Sequence, residues 1–204
     1  MLKNKIKAYI ESQLAFGKEA DMELYSEEME YALENGICSS EQLSGVKKKD
    51  PFSRFQTAHM ERCDKETEET ISMADSRFLN EKISFLKRHR REFVYMESEW
   101  FDMLGIDAVS LELDDVFGTY DVMLGIKLKK KDEEKIKAFL DEHLHGEDVK
   151  FDLLYSNEEN LWNLNFTLNC MEPFHEDMTI GEAYVHIYRL LFQLVAFVEK
   201  NNRN

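Results

Sequence analysis

Proline and glycine are scarce, two and eight among 204 residues, so a long structureless linker is not expected. Cysteine is scarce too. Cys38, Cys63 and Cys170 are odd in number and widely spaced, with no CxxC pair, so neither a zinc ribbon nor a redox dithiol is indicated. Basic charge is in deficit: 26 Lys and Arg stand against 41 Asp and Glu, a net charge of −15. A general polyanion binder needs the opposite balance, so nucleic acid is not an expected partner. Such an acidic surface serves solubility first, and matching to a basic partner second.

No apolar run is long enough to span a bilayer. The most apolar stretch, residues 183–198, is about one turn short and carries His186, Arg189 and Gln193. The opening residues, Met1-Leu2-Lys3-Asn4-Lys5-Ile6, begin an amphipathic pattern and not a signal-peptide core, so the expected compartment is the cytoplasm, with no membrane partner. A phosphate-binding glycine loop, a GxSxG elbow and an HExxH motif are all missing. No cofactor, metal or catalytic residue is therefore expected, and the reading leans away from an enzyme.

What is present suits a packed domain. Hydrophobic residues make up 43% and aromatics 12%, and a chain of this length buries about 70% of its unfolded surface. Leu2, Ile6, Tyr9, Ile10 and Leu14 recur at helical spacing up to Gly17. Met22, Tyr25, Met29, Ala32 and Leu33 repeat the pattern and stop at Asn35-Gly36. A third helix is expected over 40–49, ended by Asp50-Pro51. From Phe52, Phe55, His59 and Cys63, and again from Ile71 through Phe78, Phe85, His89, Phe93, Met96 and Trp100 to Met103, a near-heptad stripe predicts a long amphipathic helix, in one piece or two, closed by Gly105.

After position 105 the apolar period becomes two. Pairing Leu113 with Tyr120 sets Leu111 against Val122 and Val109 against Leu124, a hairpin with its loop at 114–119. Asp132-Glu133-Glu134 opens a helix that ends before Gly146. A second hairpin pairs Tyr155 with Trp162, Leu153 with Leu164, Phe151 with Phe166 and Val149 with Leu168. Thr179-Ile180-Gly181-Glu182 reads as a capping box for a last helix reaching about Lys200. The fold class is thus α+β: a helical half, 1–104, then a four-stranded antiparallel ββαββα unit, 105–204, with helices on one sheet face, the two halves packed as one domain.

Two places invite a ligand. Glu182, His186, Arg189 and Gln193 make one polar stripe on the last helix, where His186 and Arg189 suit an anionic group and Trp162 a pocket wall. Asn163, Asn165, Thr167 and Asn169, with Asp152, Lys150 and Lys127, form a polar sheet face, on which Met123 and Gly125 also fall. His59 and Cys63, four apart on a presumed helix, have the spacing of two metal ligands but lack a third. The basic run Lys87-Arg88-His89-Arg90-Arg91 would be spread around a helix and so presents no basic face. The expectation is a binding or regulatory protein acting through protein–protein contacts, by self-association through the long or the last helix or with a partner. The alternative is a binder of anionic metabolites, or an enzyme, with a pocket between sheet and last helix.

Overall fold

A computed structural model describes residues 2–16, 23–146 and 150–202 of the chain. In chain order the elements are α1 (Leu2–Phe16), β1 (Glu23–Leu24), α2 (Ser26–Glu34), β2 (Lys47–Lys48), β3 (His59–Asp64), β4 (Thr70–Ala74), α3 (Phe85–Arg88) and β5 (Glu92–Glu97). They continue with α4 (Glu99–Leu104), β6 (Ile106–Leu113), β7 (Tyr120–Ile126), α5 (Glu133–His143), β8 (Phe151–Ser156), β9 (Leu161–Thr167) and α6 (Ile180–Asn201). Seven strands form one antiparallel sheet in the order β4-β3-β5-β6-β7-β9-β8, and β1 and β2 make a small parallel pair apart from it.

The long helix expected over 52–104 is not there. That segment supplies three of the seven strands and only short helices, none longer than six residues, so the sheet is larger than the expected four strands and crosses position 105 through the β5–β6 pairing. The half before 105 is therefore not a helical region. Strand β5 explains the misreading. Val94 and Met96 point into the core while Phe93 and Tyr95 point away, a period of two that a helical stripe through 89, 93 and 96 passes over. The β3–β4 hairpin also turns without glycine or proline. Asp64 Oδ1 accepts from the amides of Glu66 (2.9 Å) and Thr67 (3.0 Å), and Glu68 takes the left-handed conformation at φ 59°. The expected helix over 40–49 is likewise replaced by turns and β2.

The two hairpins read from the sequence have the expected registers, Leu113 with Tyr120 and Tyr155 with Trp162. Gly17, Met22 and Val149 lie outside the described residues. Gly105 closes α4 in the left-handed conformation (φ 79°), and Thr179 and Glu182 form the capping box of α6.

Thirteen residues of α6 are buried, from Ile180 to Val198, so the helix is apolar nearly all round and sits in the middle of the molecule. One side rests on the inner sheet face made by Met60, Val94, Met96, Val109, Leu111, Val122, Leu124, Leu164 and Phe166. There the buried Tyr184 hydroxyl donates to the carbonyl of Val94 at 3.0 Å. Helices α1, α2, α4 and α5 close over its other sides. Burying each such Leu, Val or Phe contributes about 1.5–3 kcal/mol, so the sheet is held by this layer.

Between α6, α2 and the turn at 51–54 lies a buried charge cluster. Arg54, 1% exposed, donates to both oxygens of Glu28 (2.7 and 3.0 Å) and to Glu27 (2.8 Å). Its guanidinium lies between the rings of Tyr25 and Tyr188, 3.9 and 4.0 Å from their centroids. Tyr188 donates to Glu28 at 2.6 Å, and Arg189 Nε to Glu27 at 2.7 Å. Burial works to raise the Glu27 carboxyl, but the Arg189 hydrogen bond and the neighbouring Arg54 hold it below the usual 4.5.

Gly181 marks a close crossing at the start of α6. A Cβ there would stand 3.0 Å from the carbonyl oxygen of Leu79 and 3.2 Å from its Cβ. Gly181→Ala is expected to lower the melting temperature by about 2–4 °C in a thermal melt, because the steric clash outweighs the helix-propensity gain. A melt unchanged or higher would mean that the 76–80 turn yields freely.

Candidate functional site

The face of the sheet turned away from α6 carries no helix among the described residues. Its central row runs Glu61, Tyr95, Ser110, Met123, Asn165 and Asp152 across six strands, with Met73 of β4 beyond Glu61. At strand spacing this row is roughly 29 Å long. A second row is Cys63, Phe93, Glu112, Asp121 and Thr167. A shallow trough of 670 Å³ lies over this surface, bounded by Glu61, Cys63, Phe93, Tyr95, Ser110 and Glu112.

Acids outnumber bases on this face: Glu61, Glu68, Glu97 and Glu112 line the trough with Lys65. Glu112 and Asp121 are direct cross-strand partners, an arrangement that destabilises a sheet. Burial raises both carboxyls above their ordinary values. Asp121 is raised further by Asp114, and Glu112 by Asp121 and Asp114, while Lys65, 3.9 Å from Glu112, offsets part of its shift. Tyr95 donates to Glu97 at 2.7 Å, and burial together with that carboxylate pushes its phenol up beyond the normal range. Glu61 pairs with His59 at 2.6 Å and accepts from Thr70.

At one end of this face the β6–β7 loop projects Val116 and Phe117, 83% and 79% exposed. The loop is a built turn. Asp114 Oδ1 accepts from both their amides (2.6 and 2.9 Å), and Gly118 adopts φ 69°. Two adjacent bulky apolar side chains are thus held out in solvent beside Asp114 and Asp115, on a fixed frame.

The predicted site residues divide between places. Asn163, Asn165 and Asp152 do lie on the uncovered face, with Met123 and Gly125. Lys127 does not join them: it falls just past β7, pairs with Asp107 at 2.6 Å and borders a separate pocket with Leu128 and Val195. His186, Arg189 and Gln193 line one open cleft of 540 Å³, whose other walls are His143, His145 and Glu172. That cleft lies between α6, the end of α5 and residues 171–173, and not between α6 and the sheet. Trp162 is not part of it. It is buried on the inner sheet face, edge-on to Tyr155, with its indole N–H 3.4 Å from the Lys129 carbonyl. Arg189 gives its Nε to Glu27, Glu142 and Glu172 bring negative charge, and burial with the nearby Arg189 cation lowers His186. The cleft is a poor anion site at neutral pH.

His59 and Cys63 share one face of β3 instead of a helix stripe, with Glu61 between them. Among the described residues no group of three or more His, Cys, Asp or Glu is placed to hold a metal ion. No described helix is long and apolar enough to cross a membrane. Sequence reasoning missed Phe93, Tyr95, Glu61 and Glu97, all inside the presumed long helix. The signal that locates them is the alternation Phe93-Val94-Tyr95-Met96.

Comparison of the chain with protein-family models, with curated proteins and with solved structures returns no match.

Proposed function

We propose that this is a binding protein without a reaction of its own, whose uncovered sheet face receives a basic segment of a protein partner. The observation that carries the reading is the Glu112–Asp121 pair, two half-buried acids set directly opposite each other on an open face. Like charges so placed weaken the sheet, and an incoming Lys or Arg removes the penalty. Beside them, Val116 and Phe117 supply the apolar anchor that a protein interface needs at its centre. The net charge of −15 steers a basic partner toward the chain. Self-association through helices has lost its basis, since 52–104 is not one helix and α6 is covered within the chain. The free thiols of Cys38 and Cys63 fit a reducing compartment, and we propose the cytoplasm.

The test is a titration followed by backbone amide shifts, using an extended peptide of alternating Arg and Val. Saturable shifts are expected at 61, 95, 110, 112, 121 and 123, weakening steeply as salt rises. Shifts scattered over the helical side, or equal binding of a Glu and Val peptide, would remove the proposal.

A further inference from the structure

The trough on the uncovered sheet face, 670 Å³ in volume, holds two aromatic rings as well as its acids. Phe93 and Tyr95 stand two positions apart on β5, so they share that face about 7 Å from each other along the strand. The Tyr95 hydroxyl donates to Glu97 at 2.7 Å, which pins its ring. Among the described residues no Lys or Arg stacks on either ring, whereas Arg62 lies over Phe85 and Lys87 over Tyr120. Glu112 is the direct cross-strand partner of Phe93. Its side chain is 24% exposed, and among the described residues no hydrogen bond is made to its carboxylate. The Lys65 ammonium stands 3.9 Å off, too far for a hydrogen bond, and donates instead to the Leu113 carbonyl. Ser110, between Tyr95 and Met123, is the smallest side chain of the central row, so the floor dips there.

Two cations could answer such a surface, and their shapes differ. An ammonium is a compact, strongly hydrated point charge; a guanidinium is a flat fork that stacks on rings and gives two parallel N–H donors to one carboxylate. Accessible rings beside a carboxylate that lacks donors suit the second. Resting on the reading that this face receives a basic segment, we infer that the residue of the segment seated over β5 is an unmethylated arginine. Its guanidinium stacks against Phe93 and Tyr95 and donates through paired N–H groups to Glu112, while its stem fills the dip at Ser110. Phe93, Tyr95, Ser110 and Glu112 thereby select arginine over lysine, where net charge alone would treat the two alike.

The full chain is titrated calorimetrically with extended peptides of one length in which Val alternates with Arg, with Lys or with asymmetric dimethylarginine. The Arg peptide is expected to bind about tenfold tighter than the Lys peptide at equal charge. Dimethylation keeps the charge but blocks the paired donors, so that peptide falls to about the Lys level. Tyr95→Leu removes one ring and cuts the Arg-to-Lys ratio to about threefold or less. Ser110→Val fills the dip with a residue that suits a strand, leaves both rings in place and also erases the preference; it serves where Tyr95→Leu does not fold. Equal binding of the Arg and Lys peptides by the parent chain would overturn this inference and leave the basic-segment reading standing. Binding of neither peptide would remove both. A preference kept in full by either folded variant would also overturn the seat over β5.

Discussion

Arg54→Leu lowers the free energy of unfolding by about 3–5 kcal/mol, the cost of leaving a buried charge without its partner. Glu28 is fully buried and takes both guanidinium donors of Arg54, so the variant strands a carboxylate with only the Tyr188 hydroxyl for company. The two tyrosine rings stacked on the guanidinium lose a cation–π contact as well, worth about 1–2 kcal/mol when desolvated. Urea denaturation at neutral pH measures the loss. Combining Arg54→Leu with Glu28→Gln restores part of it, because no unpaired charge then remains. A double variant no more stable than the single one would refute the explanation.

The same cluster sets a pH dependence. Glu27 has a folded pKa below its unfolded value of 4.5, so between the two values the unfolded chain binds more protons. Its stabilisation is complete above 4.5 and is lost as pH falls through the folded value. Glu112 and Asp121 act with the opposite sign. Their folded values are raised, so each costs stability once pH climbs through its unfolded value, and the cost is complete above the folded one. Neutral pH therefore favours the Glu27–Arg54 cluster and penalises the open face.

That penalty is the basis of the second large effect. The pair of changes Glu112→Gln and Asp121→Asn weakens the Arg and Val peptide by about tenfold, taking roughly 0.5–1 kcal/mol for each half-exposed contact. At the same time it raises the urea midpoint at neutral pH, since two opposed charges disappear. Calorimetric titration and denaturation on one preparation read both. A variant that binds as tightly as the parent would show that the basic segment sits elsewhere. Phe117→Ser separates the contributions: it weakens a folded basic partner through lost apolar contact and leaves the midpoint unchanged, because Phe117 packs on nothing that folding requires.

Legibility from sequence followed the strength of the local signal. The β6–β7 and β8–β9 hairpins were readable to the residue because each buries one face of a two-fold alternation, and a slip by one position would turn Leu111 or Leu164 outward. Helix α6 was readable from its capping box and apolar surface. The first three strands of the sheet were not. Their turns use Asp64 and Glu68 in place of glycine, and β4 is short and leaves its bulky residues Ile71 and Met73 exposed, so it buries little apolar surface to mark it. Because three of the seven strands were hidden, so was their part of the open face. Asn163 and Asn165 were visible as strand amides, whereas Tyr95 and Phe93 looked like one edge of a cylinder. The cleft shared by His186, Arg189 and Gln193 followed from their spacing on α6, but its walls and the Glu27 partner of Arg189 did not, since Glu27 lies 162 positions away.

The position of α6 has a consequence for how the chain is made. The helix that lines the seven-stranded sheet leaves the ribosome only after all the described strands. Until Ile180 to Val198 emerges, the finished sheet has no lining for its inner side, and Arg54 lacks Tyr188. The nascent polypeptide thus carries an uncovered apolar surface until α6 follows. A version cut short before Ile180 would collect as aggregate, however complete its hairpins.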